Sequence, residues 1–325
     1  MPCKQTQFPN MRNNFSRLYL ACIASFVTLL PAFSTDDVEK YERKVVVEKG
    51  TATWCKYCVR SIVGFRTMYE KYPHNFIGIA MHDDDMYSPT YIQMLWRING
   101  GLPKATVNRK LEIDPNETSL ENCYLYEIDK AQARILMEAV WEDEDMTKAV
   151  IRTTTRFAQD MEGEFRIAYA VTENGVGPYV QYNYYSGVSY PMGGFEQEDY
   201  YVNMLHDHVA RSISALDGEP GSVPLNPLGL TDYEHTFTLA LPDNIDNKEN
   251  IEVIVLLINQ TTGAIENADV KKFHEILPEG TTHIHHQTHL VPVSTAYFDL
   301  HGRPLGGKPT QKGIYIHQGR KVMIP

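Results

Sequence analysis

Cys55 and Cys58, within Trp54-Cys55-Lys56-Tyr57-Cys58, are the side chains here whose type and spacing best suit chemistry. Two thiols two residues apart can close a small disulfide and reopen it by exchange. A thiolate attacks one sulfur, a mixed disulfide forms, and the second thiol resolves it. The flanking residues place the pair. The run Val45-Val46-Val47 is β-branched and reads as a buried strand. A short loop of Gly50, Thr51 and Ala52 follows. Then Val59, Ile62, Val63, Phe65 and Tyr69 recur at helical spacing. The pair therefore caps a helix N-terminus just after a strand, where backbone N–H groups and the helix dipole favour a thiolate. Cys55, ahead of the helix, is the candidate nucleophile. Cys58, at its start, is the candidate resolving thiol.

Other readings of the pair stay open. A zinc site needs a second pair of Cys or His ligands at metal spacing, and downstream of Cys58 only Cys123 remains. A structural disulfide and a buried inert pair need nothing further. Histidines elsewhere raise the same question. His82-Asp83-Asp84-Asp85 reads as a solvated loop rather than a cation site. His206 and His208, with Glu198 or Asp207 near in sequence, read as a metal site less readily than as ordinary strand residues. Thr281-Thr282-His283-Ile284-His285-His286-Gln287-Thr288-His289 reads as a polar linker rather than a high-affinity metal site. No metal and no cofactor is expected. Phosphate loops, zincin helices and nucleophile-elbow serines are missing from the sequence.

The rest of the chain supplies the elements that must position the cysteines. Its 325 residues suggest two or three domains, and 43% apolar residues suffice for packed cores. The net charge of −11 argues against a nucleic-acid partner. Residues 1–34 read as a secretory signal peptide: Lys4, Arg12 and Arg17, then an apolar core over 18–30, then Ala32-Phe33-Ser34. Export implies an oxidising compartment. Residues 76–81 read as a second buried strand, joined to the first by a parallel crossover. A helix is expected over 90–98. A hairpin is expected through Asn108-Arg109, and a helix from Thr118. Ile135, Met137, Ala139 and Val140 read as a further helical segment, ending at the acidic run 141–145. From residue 148 the pattern changes to alternation, as in Val150, Arg152, Thr154 and Arg156. Asn174-Gly175 and Thr262-Gly263 signal turns. This suggests an antiparallel, immunoglobulin-like β-sandwich over 147–280. The stretch 179–190 is dense in Tyr, Asn and Ser, the composition of a binding surface.

Trp54-Cys55-Lys56-Tyr57-Cys58 after a Val-rich strand resembles the thioredoxin superfamily. So does Gly100-Gly101-Leu102-Pro103-Lys104-Ala105-Thr106-Val107, which is similar to that family's cis-proline loop. The resemblance implies a thioredoxin-like domain over 35–146, with Pro103 lying against the disulfide and helping to bind an extended substrate. Members carry a buried Asp six residues before the first Cys. This chain has Lys49 there and Glu48 one residue earlier, so the resemblance implies a proton-handling role for Glu48. Trp54 completes the implied site of Cys55, Cys58, Pro103, Trp54 and Glu48.

Across roughly 43–272, including Ala168-Tyr169-Ala170-Val171-Thr172-Glu173-Asn174-Gly175-Val176 and Asn203-Met204-Leu205-His206-Asp207-His208-Val209-Ala210-Arg211, the chain resembles the exported "outer membrane protein 28"-related family of Bacteroidetes. That implies a periplasmic, outer-membrane or cell-surface location. The tail, with Asp299-Leu300-His301-Gly302-Arg303, Lys312-Gly313-Ile314-Tyr315-Ile316 and Gly319-Arg320-Lys321-Val322, resembles the sorting domain of type nine secretion cargo. It implies contact with the outer membrane or the secretion machinery through a small β-module at 281–325. The expected fold class is an α/β thioredoxin-like domain followed by an antiparallel β-sandwich and a small C-terminal β-module. The expected function is thiol–disulfide exchange by an oxidoreductase whose partners are the thiols or disulfides of exported proteins. The alternative is a surface binding or structural module with a structural Cys55–Cys58 disulfide and a Tyr-rich surface.

Overall fold

The computed structural model describes residues 41–129 and 131–278, and in the C-terminal segment 297–298, 304–305, 309, 312–317 and 320–324. The signal-peptide stretch, the 281–289 histidines and the turns at His301-Gly302 and Gln318-Gly319 lie outside the described residues. The chain divides into two units, residues 1–279 and 280–325.

In the first unit the order is β1 (Val45–Thr51), α1 (Val59–Lys71), β2 (Phe76–His82), α2 (Ile92–Arg97), β3 (Lys104–Val107), β4 (Leu111–Ile113) and α3 (Glu117–Glu127). Strands then dominate: β5 (Ala133–Trp141), β6 (Lys148–Phe157), β7 (Phe165–Glu173), β8 (Val176–Tyr182), β9 (Tyr201–His206), β10 (Val209–Ile213), β11 (Asp232–Ala240), β12 (Ile251–Asn259), β13 (Ile265–Lys272) and β14 (Leu277–Pro278). One mixed sheet runs β13-β12-β7-β10-β2-β1-β3-β4, and a second runs β11-β6-β5-β14.

This arrangement corrects the expected fold class. The chain is mostly β, with three α-helices among the described residues, and not an α/β thioredoxin-like domain followed by a separate sandwich. The physical reason is the edge of β2. It does not stay open: β10 pairs with it in parallel at Val209 and Ala80, and the Ala80 N–H donates to the His208 carbonyl at 2.7 Å. β10 in turn pairs antiparallel with β7, and β7 with β12. One apolar cluster consequently holds Val46, Ile77 and Ile79 together with Ala168, Ala170, Ile254 and Leu256. The other face of β7 and β12 packs against the second sheet through Phe165, Ile167, Val253 and Val255, with Ile135, Ile151 and Phe157 opposite.

Local expectations fare unevenly. β1 and β2 pair in parallel around α1. β3 and β4 form the hairpin through Asn108 and Arg109, both at positive φ (49° and 56°). α3 begins at Glu117, with the Asn116 side chain accepting from the Ser119 N–H. The segment expected to be helical around Ile135 is instead strand β5. Ala133, Ile135, Met137, Ala139 and Trp141 all point inward at a period of two, and pairing with β6 decides the matter.

The second unit carries β15 (Tyr297–Phe298), β16 (Pro304–Leu305), β17 (Gly313–His317) and β18 (Arg320–Ile324), in the order β16-β15-β17-β18 with antiparallel neighbours.

β1 is buried along its whole length, and alternation sends Glu48 and Lys49 to opposite faces. Glu48 meets Arg109 in a two-pronged ion pair at 2.8 and 2.7 Å, and accepts from the Tyr91 hydroxyl at 2.7 Å. Removing one partner leaves a buried charge uncompensated. Glu48→Ala is therefore expected to lower stability by about 3–5 kcal/mol, and the double change Glu48→Leu with Arg109→Met by clearly less than the two single changes added. Denaturant titration of the wild type, Glu48→Ala, Glu48→Leu, Arg109→Met and the double variant measures this. Additive losses would refute the coupling.

Candidate functional site

Cys55 and Cys58 form a disulfide with Cα atoms 5.4 Å apart. The loop that carries them is wound tightly: the Cys55 N–H donates to the Ala52 carbonyl at 3.1 Å, and the Cys58 N–H to the Cys55 carbonyl at 2.9 Å. Cys58 is the N-cap residue of α1, and its carbonyl receives the N–H groups of Ser61 and Ile62. The sulfur-bearing residues differ in access. Cys58 is fully buried, while Cys55 keeps 5% of its surface. Ala52, Leu102 and the two cysteines pack as one cluster. Leu102 precedes Pro103 through a cis peptide bond, and Pro103 is buried. Trp54 is more than half exposed, with its Nε1–H donating to the Asp83 carbonyl at 3.0 Å.

The loop is held from two sides. On one, the Thr53 N–H donates to Asp84 Oδ2 at 2.7 Å, and His82 Nδ1 lies 3.1 Å from the same oxygen. Burial raises the Asp84 carboxyl, but the hydrogen bonds from His82, Met86 and Thr53 outweigh it and hold the group at about 2. The acidic run read as a solvated loop therefore anchors the cysteine loop. On the other side, the end of β8 lies across it. The Tyr182 N–H donates to the Thr53 carbonyl at 2.8 Å, and the Tyr184 N–H to the Lys56 carbonyl at 3.0 Å. The fully buried Gln181 side chain donates to the Thr53 and Cys55 carbonyls, both at 3.1 Å. The Tyr57 and Tyr184 rings meet at 4.6 Å. Around them Tyr182, Tyr190, Tyr200 and Tyr201 are exposed. The Tyr-rich stretch thus forms a cover for the disulfide. Its sequence marked it as a surface; only β8–β9 pairing, which is nonlocal, shows what it covers.

The implied site residues do not all converge. Cys55, Cys58 and Leu102 are packed together, with Trp54 and Pro103 next to them in the chain. Glu48 faces away, toward Arg109 and Tyr91. Lys49 faces the helix. Its ammonium lies 4.1 Å from the centre of the Phe65 ring and donates to the Ser61 carbonyl at 3.3 Å. Burial lowers its pKa from 10.5 to about 7, with Asp207 pulling weakly the other way. Beside it lies a cavity of about 340 Å³, bordered by His82, His206 and His208 among others. Burial also lowers His82, despite Asp84, and takes His206 down to about 4. His206 sits edge-on to His82 at 5.5 Å, while His208, at φ +60°, stacks on Tyr69 at 4.1 Å. Among the described residues no cluster of three or more metal-ligating side chains occurs.

The sequence model of the family described as Outer membrane protein Omp28 matches residues 91–275, more than half of the chain. This chain belongs to the Omp28 family. Membership places it among exported proteins of the outer membrane or cell surface. The match starts at Tyr91, so the cysteine pair precedes the span by which the Omp28 family is matched. Among solved structures, HBP35 of Porphyromonas gingivalis is similar at 16% identity, over 88% of this chain and 99% of that one, with a TM-score of 0.54. A protein of Agrobacterium tumefaciens is similar at 15% identity, over 76% and 100%, with a TM-score of 0.38. A domain of the outer membrane lipoprotein Omp28 from Porphyromonas gingivalis is similar at 14% identity, over 46% and 90%, with a TM-score of 0.26. At 16% identity the likeness to HBP35 is one of fold. No curated protein matches the chain.

The Lys49 shift makes the stability of this Omp28 protein depend on pH. Between about pH 7 and 10.5 the unfolded chain holds a proton on Lys49 that the folded chain has lost. Folding stability contributed by this group therefore rises with pH across that window and is lowest below pH 7. Lys49→Met should be the more stable protein at pH 7, and its advantage over the wild type should shrink as pH rises toward 10. Urea titrations of both proteins from pH 6 to 10 measure the difference. An advantage that stays constant with pH would refute the assignment.

Proposed function

We propose that this Omp28 protein carries out thiol–disulfide exchange on exported protein substrates. The observation that carries the reading is the asymmetry of the Cys55–Cys58 pair. Both sit where the α1 N-terminus stabilises a thiolate, yet only Cys55 reaches the surface, between exposed Trp54 and Tyr57. In the oxidising direction a substrate thiolate attacks the Cys55 sulfur. The Cys55–Cys58 bond breaks, and Cys58 leaves as a thiolate. A second substrate thiolate then attacks the substrate sulfur of the mixed disulfide and expels Cys55. The substrate dithiol is oxidised to a disulfide, and the pair is reduced to two thiols. Trp54 and the Leu102-Pro103 wall border the point of attack. The reverse sequence reduces a substrate disulfide.

One observation favours a second reading, a surface module with a structural disulfide. Gln181 and the β8 backbone lie across the cysteine loop, and little of either sulfur-bearing residue is open. The two readings differ in reduction potential. Structural disulfides of exported proteins fall below about −300 mV.

The test is capture. Cys58→Ser leaves Cys55 without its resolving thiol, so it is expected to accumulate mixed disulfides with exported proteins on non-reducing gels. Cys55→Ser is expected to accumulate far fewer. Absence of reductant-sensitive adducts, together with a potential below about −300 mV, would remove the exchange reading and leave the structural one.

A further inference from the structure

The cavity bordered by Lys49 is a place where buried polar groups face open volume. Its 340 Å³ falls in the range of small-ligand sites. Ile62, Phe65 and Met204 give it an apolar side. Lys49 and His206, each with about 4% of its surface exposed, give it a polar interior. Arg66 and Glu70, both exposed, stand at its mouth.

Three polar groups bordering it lack a full set of partners: Lys49, His206, and His208, whose Nδ1 is buried without a hydrogen bond and lies 3.8 Å from Glu252 Oε2. The Lys49 ammonium has three N–H donors, and its hydrogen bond among the described residues is the 3.3 Å contact to the Ser61 carbonyl. No carboxylate lies within ion-pair distance; Asp207 acts on it from farther away. A buried ammonium without a counter-ion calls for an anionic group. His206 Nε2 is buried with no hydrogen-bond partner. The Tyr179 backbone acts on the same ring, and we assign the neutral ring's proton to Nδ1. In the neutral ring Nε2 is then a bare acceptor, and it calls for a hydroxyl or N–H donor. One anionic group, one donor and an apolar body together describe a small class of molecule.

We propose that this cavity binds a small hydroxycarboxylate, with the carboxylate on Lys49, the hydroxyl donating to His206 Nε2, and the apolar part along Ile62, Phe65 and Met204. A phosphate ester fits less well. Its second negative charge has no buried partner here, and Asp207 and Glu70 border the same cavity. The proposal does not rest on the exchange chemistry at Cys55.

Binding carries a proton signature. Lys49 is close to half-protonated at neutral pH, and a carboxylate beside it draws the proton on. The other titratable groups around the cavity are His82, His206, His208, Tyr69, Asp207 and Glu70, so the Lys49 variant is needed to assign the uptake.

Calorimetric titration with mandelate near pH 7 tests the proposal. Mandelate is expected to bind one per chain, with heats that change with the ionisation enthalpy of the buffer. Phenylacetate, which lacks the hydroxyl, is expected to bind about tenfold more weakly, and benzyl alcohol, which lacks the carboxylate, more weakly still. Lys49→Met should abolish binding and the proton uptake. His206→Phe should erase the preference of mandelate over phenylacetate. Met204→Trp, which fills the cavity from the β9 side, should block binding with Lys49 intact. Absence of saturable mandelate heat up to about 10 mM, or undiminished binding by Lys49→Met or Met204→Trp, would overturn it.

Discussion

The rest of the structure depends on a single strand that must bury charge on both of its faces. β1 lies inside an eight-stranded sheet and is closed to solvent along its length. Its sequence nevertheless places Glu48 and Lys49 next to each other, so alternation puts one charge on each side. The Glu48 side is closed chemically. Arg109 supplies two bonds to the carboxylate, Tyr91 a third, and Arg109 also donates to the Leu216 carbonyl at 2.5 Å. Burial would weaken the Arg109 charge, but Glu48 outweighs it and the guanidinium stays firmly protonated. The Tyr91 hydroxyl is held far above its ordinary range by burial and by the same carboxylate. That network joins β1, the β3–β4 turn, α2 and the segment after β10. The Lys49 side is left open. A ring face and one carbonyl do not replace a counter-ion, so the cost of burial appears there as a lowered pKa beside a cavity.

The sheet that buries β1 also delivers the cover over the cysteines. β7 leaves the sheet at Glu173 and the chain returns as β10 at Val209, and the two ends of this excursion are tied together. The His208 N–H donates to Asn174 Oδ1 at 2.8 Å, and the Gly175 N–H to Asp207 Oδ1 at 2.9 Å. Nearby, Glu173 accepts from Arg211 and from the backbone of Asp246 and Asn247. With its base fixed, the β8–β9 ribbon projects in one direction, and Gln181 and Tyr182 reach the Thr53–Cys55 backbone. Val59 and Val63 of α1 pack with Tyr185 and Phe195 of the same excursion, which seats it on the helix that the disulfide caps.

Much of the site was legible because its determinants are local. The Val45–Val47 run, the Cys spacing and the apolar period from Val59 to Tyr69 all act within one strand and one helix. The Asn108-Arg109 turn was legible for the same reason, since Asn is among the residues that tolerate the positive φ such a turn needs. The failures are nonlocal. Ile135, Met137 and Ala139 suit either period over a short run, and only the β6 partner selects a strand. A local strand–cysteine–helix resemblance was extended to a whole domain. The pairing of Val209 with Ala80, which joins β1–β4 to β7, β12 and β13 in one sheet, leaves no mark near either residue. Glu48 and Lys49 show the same limit at atomic scale. Alternation says that they part, but not which of them finds a partner. Gln181 carries no signal at all, because a glutamine in a Tyr-rich stretch reads as surface until its amide is seen bonded to the Cys55 carbonyl.

The cover also constrains the exchange reading. Gln181 fixes the Cys55 carbonyl and β8 fixes the flanking backbone, so the loop cannot swing outward without losing several buried hydrogen bonds. On that reading, attack comes from the side of the exposed Trp54 rather than from the β8 side. The hydrogen bonds that hold the oxidised loop do not involve the sulfurs themselves, so the reduced pair would keep the same scaffold. On the exchange reading proposed above, reduction of the pair would leave Gln181 and β8 seated on the loop backbone.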